Sequence, residues 1–466
     1  LIRPGPLESN QSDVYVNRKF GREDTVYTSP SLLPILENTQ GVLVFQEQMM
    51  RICKELAGFS DVEAELARKA CGKKLPEEMA KVKTMFMEGA AKTGVINEEQ
   101  AQEIFGWIET SVRYSFNKSH GVGYGMTSYF CAYQKVHYPT EFYCSWLNFS
   151  HCKPEPKEEV YKLVQDAKLH GIDILPPDVQ RGNVNFEITK ERTVIFGLPY
   201  IRNVGQASVK TLKKVKDKLE TWEGFFKSVP KIKRNVAESL VKSGACDCYK
   251  LSRNEMLKQL HIIYGYTHKD ADNTNVTRPL SPKELGFFLD NIRENDGTPN
   301  SFKELLQTII DTKVCVKKRI PVLEEKIEAL EKLLQDTNKQ KVIWEKIYLG
   351  LNLSCSAVDD IEIGEETSTC RDIFNALPKT KATLHAVVDK VRERLTSAKA
   401  KTPNRQYAYL SVSDNTGALD NLVCWPENYE KHKMSFQEGN VVTLSLYKDS
   451  WKDRTQLIVN KVELIG

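Results

Sequence analysis

The sequence predicts a multidomain chain, mostly α-helical, with helix–hairpin–helix segments in its middle and a small all-β barrel of OB type at its end. Three observations carry this. Apolar residues recur at helical spacing in several runs between Met49 and Leu334. Two small-residue turns, at 201–205 and 243–245, each lie beside a basic helix. From Lys381 onward, large residues alternate with polar ones in about five runs separated by turn sequences, a count that suits an OB-type barrel. The regions divide as 1–155, 156–255, 256–378 and 379–466.

The chain has 466 residues, enough for about three or four domains, and 41% of them are apolar, enough for real cores. Its net charge of +4 does not by itself mark a nucleic-acid binder. The distribution says more: residues 201–242 hold eleven Lys/Arg against four Asp/Glu, so +7 is concentrated there. Such a patch suits a polyanion or a solvated helix face. Eleven cysteines lack the paired spacing of a zinc site, Cys246 and Cys248 forming a lone CxC. With no signal peptide and no long apolar run, reduced thiols in the cytoplasm are expected, and no membrane span. Residue 1 is Leu inside a turn-rich motif, which reads as part of a longer or split protein.

In the first region, residues 41–45 read as a short apolar strand or a helix entry, and from there to about Leu66 apolar residues recur at helical spacing (Met49, Ile52, Cys53, Leu56). Arg68, Lys69, Lys73 and Lys74 lie within seven positions, on a helix that Gly72 is expected to end. They suit phosphate contact, by Arg fork and Lys point charge, or a helix end whose cations complement the dipole. Residues 77–92 and 98–110 read as two more helices, with Met79, Val82, Met85 and Phe86 as core. Asn117, Lys118, Ser119 and His120 then precede Gly121, Gly123 and Gly125. Polar donors, a fixed charge and an imidazole before glycines and a helix start suit a phosphate; a capped loop before a core helix (Tyr129, Tyr133, Val136) is the plainer alternative.

Residues 158–170 read as an amphipathic helix, followed by an extended segment and a short β region at 186–196. The basic hairpins hold Arg202, Lys210, Lys213, Lys231, Lys233, Arg234 and Lys242, a set that can meet duplex phosphates without reading bases. Residues 254–300 carry little signal and read as linker and loose helix. Ile320, Leu323, Ile327, Leu330 and Leu334 step by 3 and 4, and a hairpin with residues 341–349 is expected. The acids from Asp359 to Glu366 read as a solvated loop, with no catalytic role. In the barrel, Arg392 and Arg394 lie in the long first hairpin, and Tyr407, Tyr409, Trp425 and Trp451 offer stacking faces. Basic loops with aromatics suit single-stranded nucleic acid.

The order RPGPL, VFQEQMM, RKACGKK, FNKSH-G and HYPTEF, residues 1–142 overall, resembles the fingers of bacterial replicative DNA polymerase III alpha subunits, the family C DNA polymerases. Residues 232–247 resemble that family's second helix–hairpin–helix segment, and 344–354 the lead into its OB domain. The resemblance implies a nucleotidyltransferase part in DNA replication, binding an incoming dNTP and primer–template DNA. It assigns Arg68, Lys69, Lys73, Lys74, Gln46, Glu47 and Asn117–His120 to the nucleotide, and the basic hairpins, Arg392, Arg394, Tyr407 and Trp451 to DNA. It further implies Mg²⁺ for the whole enzyme, a PHP and palm fragment as partner, and a sliding clamp, for which Gln259 to Tyr264 is only a faint peptide match. The family's PHP domain, three palm aspartates and thumb are not among these residues, so no catalytic or metal-ligating residue is assigned and the chain alone is expected to be inactive. Lys69 stands where the family has a second Arg, keeping charge but losing the fork. The rival expectation is a catalytically silent DNA-binding or replisome scaffold protein.

Overall fold

A computed structural model describes residues 10–73, 76–111, 116–228, 232–264, 279–292, 302–331, 336–361, 367–397, 403–451 and 454–465; the side chains of 71–73, 76, 110–111, 264, 329, 451 and 454 are not described. The chain forms two units, residues 1–133 and 134–466.

The first unit is helical: α1 (Gln11–Lys19), α2 (Leu33–Leu36), α3 (Gln46–Ala57), α4 (Asp61–Lys73), α5 (Pro76–Thr93) and α6 (Glu98–Ser111), leading into α7 (Lys118–His137). The helical period of α3 puts Met49, Ile52, Cys53 and Leu56 inside. Gly58, left-handed at φ 67°, closes the helix. Gln48 is buried yet satisfied. Its Oε1 accepts from the Val44 and Phe45 N–H groups, at 3.1 and 2.9 Å, and its Nε2 donates to Ile35 O and Thr39 Oγ1. Phe86 of α5 meets Phe105 of α6 at 5.4 Å between centroids. Gly89 lets α5 touch α3, since a Cβ there would sit 2.1 Å from the Ala57 carbonyl oxygen.

The second unit runs α8 (Pro139–Phe149), α9 (Pro156–Leu169), β1 (Asp173–Leu175), β2 (Glu187–Lys190), β3 (Thr193–Ile195), α10 (Gln206–Lys214), α11 (Trp222–Ser228), α12 (Arg234–Lys242), α13 (Arg253–Tyr264), α14 (Pro282–Asn291), α15 (Phe302–Asp311), α16 (Ile320–Glu331) and α17 (Asn338–Tyr348). One continuous apolar core joins Tyr143 to Leu351 across all these helices. β3 lies between β1, parallel, and β2, antiparallel. After β4 (Thr367–Ser368) and α18 (Cys370–Asn375) come β5 (Lys381–Leu395), β6 (Gln406–Asp414), β7 (Gly417–Cys424), α19 (Pro426–His432), β8 (Val441–Trp451) and β9 (Arg454–Leu464). The order β5-β6-β7-β9-β8 closes through β8 back onto β5, which is the OB barrel. Long β5 makes this possible: its first half pairs β8 and its second half pairs β6. Helix α9 packs on the barrel's outer face, where Tyr161 Oη donates to Asp389 Oδ2 at 3.3 Å and Leu169 joins the barrel core.

Several expectations are corrected. Helix α4 runs through Gly72 to Lys73. Gly121, Gly123 and Gly125 lie inside α7, not in a loop, and none of α7's residues is buried, so Tyr129, Tyr133 and Val136 are surface rather than core. The region 254–300 contains α13 and α14, whose Met256, Leu260, Ile263 and Phe288 are buried. They escaped the reading because α13 is buried on most sides, so that polar Arg253, Asn254, Gln259 and His261 lie inside as well and break the apolar period. Helix α16 packs on α15 and α13, while α17 packs on α12, so the expected α16–α17 hairpin is not the pairing. The stretch Gln259 to Ile263 is buried in α13, with Gln259 accepting from Trp222 Nε1 at 2.5 Å, and cannot serve as a clamp peptide. Among the described residues no helix is long and apolar enough to cross a membrane.

Lys326 of α16 is 1% exposed, and its Nζ has no hydrogen-bond partner among the described residues. Burial, with Arg319 adding to it, pushes its amine down to about 8. The folded state therefore disfavours the proton that the unfolded chain keeps up to about 10.5. Stability should rise as pH climbs through the window between these values. Lys326→Met should stabilise the second unit at pH 7 by roughly 2–3 kcal/mol, with the gain shrinking toward pH 10. Denaturant midpoints at pH 7 and pH 10 check this; a gain independent of pH would reject it.

Candidate nucleotide site and nucleic-acid interfaces

Two backbone bonds organise the first unit's polar site. Phe116 N–H donates to Val44 O at 3.0 Å and Gln46 N–H to Phe116 O at 3.0 Å, a parallel bridge between segments about 70 residues apart. The bridge brings the start of α3, with Gln46 and Glu47, against the start of α7, with Asn117 and Lys118. Asn117 acts as the α7 cap: its Oδ1 accepts from the His120 N–H at 2.8 Å. The Glu47 carboxylate accepts from the Lys118 N–H, at 3.0 and 2.9 Å to its two oxygens. The Lys118 ammonium lies 6.0 Å from the Phe45 ring centroid. His120 sits between the rings of Phe116 and Tyr124, tilted against each, at 5.4 and 4.3 Å between centroids. Arg68 reaches the same cluster through Nη1 to Gln46 Oε1 at 3.4 Å.

Sequence reasoning missed Glu65. Its carboxylate takes the Arg68 fork, Nε and Nη2 each at 2.7 Å, and faces Lys69 Nζ at 3.7 Å. The signal was there: an acid three residues before Arg68 on one helix face. Hydrogen bonding from Arg68 is the main reason that Glu65 is lowered to about 2, burial opposing it weakly. Of the other site residues, Ser119 is exposed at the start of α7. Lys73 and Lys74 lie outside the described residues or side chains.

In the second unit, α10 and α12 begin after Gly205 and Lys233, neither start carrying a side-chain cap nor an acid in its first turn. Their leading N–H groups are open to an anion. Arg202, Lys210, Lys213 and Lys233 are exposed around them. Arg234 is drawn off instead. It is half-buried, its Nε 2.6 Å from Glu238, which also faces His261 at 3.4 Å. Burial alone would raise the Glu238 carboxyl, but His261 and Arg234 hold it at about 2. Lys242 is half-buried over the Tyr348 ring. Lys231 lies outside the described residues, as does the Trp451 side chain.

On the barrel, Arg392 is registered opposite Tyr409 and Arg394 opposite Tyr407. Tyr407 stacks on Trp425 at 5.5 Å and 27°, and meets Tyr409 edge-on at 5.6 Å. The aromatics thus form one platform with the two arginines beside it. The acids Asp359 and Asp360 accept from Asn415 and Asn338.

The sequence model of the bacterial DNA polymerase III alpha subunit finger domain matches residues 1–94, and a helix–hairpin–helix model matches residues 171–256. The DNA polymerase III subunit alpha of Aquifex aeolicus (strain VF5) is 31% identical over 472 residues, covering 99% of this chain and 35% of that protein. Those of Escherichia coli (strain K12) and Thermus aquaticus are each 37% identical, over 53% of this chain and 22% and 21% of theirs. Among solved structures, a domain of replication protein A from Methanococcus maripaludis aligns over 20% of this chain and 91% of that one, at 19% identity and a TM-score of 0.16. The OB assignment rests on strand order rather than on that likeness. The chain spans about a third of the length of the Aquifex relative and less of the others. It belongs to the bacterial-type DNA polymerase III alpha subunits, as a portion that carries their finger domain and a helix–hairpin–helix region.

Proposed function

We propose that this chain is the part of a template-directed DNA polymerase that grips the incoming dNTP and the DNA strands. The observation that carries the reading is the convergence of Gln46, Glu47, Arg68, Asn117, Lys118 and His120 through the Phe45–Phe116 bridge. In the reaction a primer hydroxyl gives up its proton and bonds to the α-phosphate of a dNTP, and pyrophosphate leaves as the bond between the α- and β-phosphates breaks. Arg68 presents a planar fork to the triphosphate and Lys69 and Lys118 point charges, whereas the Lys118 and His120 N–H groups at the α7 start are already taken by Glu47 and Asn117. His120, held between two rings, is placed for a hydrogen bond to a phosphate oxygen. Fixing these groups in advance lowers the cost of neutralising the charge. No group of three or more His, Cys, Asp or Glu among the described residues is placed to hold a metal ion. The Mg²⁺ that the family resemblance implies would be held by the remainder of the alpha subunit.

The α10 and α12 starts would track duplex phosphates and the barrel platform single-stranded template, with the remainder of the alpha subunit and a sliding clamp as partners. Primer extension tests the whole: no product from this chain alone, and synthesis when the remainder of the alpha subunit is added. Extension by the chain alone, or no gain on mixing, would sink the reading. Duplex binding should also weaken steeply with salt, with a log–log slope near −3 to −4 if about four phosphates are neutralised. Lys210→Ala and Lys213→Ala should each reduce the slope by about one, and Arg234→Ala by less, because Glu238 already holds it. A slope shallower than −1 would reject phosphate tracking.

A further inference from the structure

We propose that the open half of the barrel's outer face reads bases as well as holding a strand, and favours bases with an exocyclic amino group, which Asp420 and Asp449 accept from. The inference rests on the single-strand reading above and adds an orientation and a base preference to it.

The face is divided. Helix α9 covers one part through Tyr161 and Asp389. Beside it opens a cavity of about 1070 Å³ whose walls include the apolar Leu169, Phe374, Leu419 and Ile458 and the rings of Tyr409 and Trp425. Trp425 is 43% exposed although it stacks on Tyr407. A large ring left half in water beside an apolar wall is a surface on which a flat base can lie.

The charges are sorted by position. Arg392 and Arg394 stand in the neighbouring strand and do not line the cavity, and Arg392 is steadied by Nη2 donating to Asn421 Oδ1 at 2.7 Å. The cavity itself holds Asp420 and Asp449. Among its described lining residues the one cation, Lys448, donates to the carbonyls of Ile373 and Phe374, at 3.0 and 2.7 Å. A phosphate in the cavity would face two carboxylates, whereas outside it would meet two arginines. A strand therefore lies with phosphates on the arginine side and bases inward.

The carboxylates then choose among bases. Asp420 accepts from Ser411 Oγ at 2.5 Å through Oδ1, and Asp449 accepts its own neighbour's N–H, Ser450, at 2.8 Å through Oδ1; among the described residues the other oxygen of each has no donor. Both present acceptors only. Cytosine and adenine carry amino donors that pair with them, as guanine does through N2, while thymine has no amino group and sets a single ring N–H between two carbonyl oxygens. The site should prefer cytosine and adenine and disfavour thymine.

Fluorescence anisotropy with the full chain and labelled 12-mers of oligo(dC), oligo(dA) and oligo(dT) tests this. Oligo(dC) and oligo(dA) should bind about tenfold tighter than oligo(dT). The isosteric pair Asp420→Asn with Asp449→Asn should bring the three within about twofold, and Trp425→Ala should weaken binding and abolish the preference. Equal or tighter binding of oligo(dT), or a preference that survives either change, overturns the base-reading site but leaves single-strand binding standing. Failure of all three strands to bind overturns both, and leaves a protein segment as the occupant of the cavity.

Discussion

Arg253→Ala should cost the second unit about 3–5 kcal/mol, the range for breaking a buried ion pair on one side. Arg253 is 1% exposed and Glu345 is fully buried, their Nη2 and Oε1 2.7 Å apart. Nη2 also reaches Asp247 at 2.6 Å and Ser354 Oγ at 3.0 Å, and Nη1 the Lys242 carbonyl at 3.3 Å. Glu345 Oε2 accepts from the N–H groups of Leu353 and Ser354 at 2.6 and 3.0 Å. Burial alone would lower the guanidinium's pKa, but Asp247 and Glu345 push it upward overall. Gly244, at φ 84°, sits so close that a Cβ would lie 2.5 Å from Nη2. The pair thus locks α12, α13 and α17 together, and truncating one partner strands the other charge in the core. Arg253→Met with Glu345→Leu should recover much of the loss, since neither charge is then buried alone. Denaturant unfolding followed by tryptophan fluorescence measures all three. The exposed pair Arg51–Glu55 is the control, at about 0.5 kcal/mol or less. A loss below about 1 kcal/mol for Arg253→Ala would show that the pair is solvated.

Arg68→Ala, in a polymerase completed with the rest of the alpha subunit, should reduce kcat/KM for dNTP by about 10²–10³ and change duplex affinity less than twofold. Arg68→Lys should recover only part, because an ammonium cannot replace a fork. Glu65 supplies an independent check. It occupies the fork that the triphosphate needs, so Glu65→Gln should lower KM for dNTP. The pH sign follows from the lowered carboxyl. Its pairing with Arg68 is present above the ordinary value of 4.5 and is lost only as pH falls toward about 2. Glu65 should therefore add no pH dependence to KM between pH 6 and 9. Equal losses in dNTP use and duplex binding for Arg68→Ala, with KM unmoved by Glu65→Gln, would reject the assignment.

What could be read in advance was local. The period of Met49, Ile52, Cys53 and Leu56 settles α3, and the alternation from Lys381 settles the barrel strands, because each pattern repeats within one element. Pro139 marked the end of the α7 run through its own backbone limits, whereas the helix expected to run to about Leu66 stops at Ala57, with Gly58 left-handed behind it. The glycines after His120 misled for a related reason. Glycine permits a loop but does not require one, and the cap from Asn117 starts the helix ahead of them.

The sequence by itself determined the strongly periodic elements such as α3 and the barrel strands, the basic charge of the hairpins and the motifs of the family. Only the tertiary structure decided that Phe45 pairs with Phe116, that Glu65 rather than solvent meets Arg68, and that Trp425 backs the Tyr407 ring. It also decided that Gln259 to Ile263 is interior and α7 is surface. The physical reason is range: helical and strand periods arise among neighbours in the chain, whereas burial and partner choice are set by residues tens to hundreds of positions away.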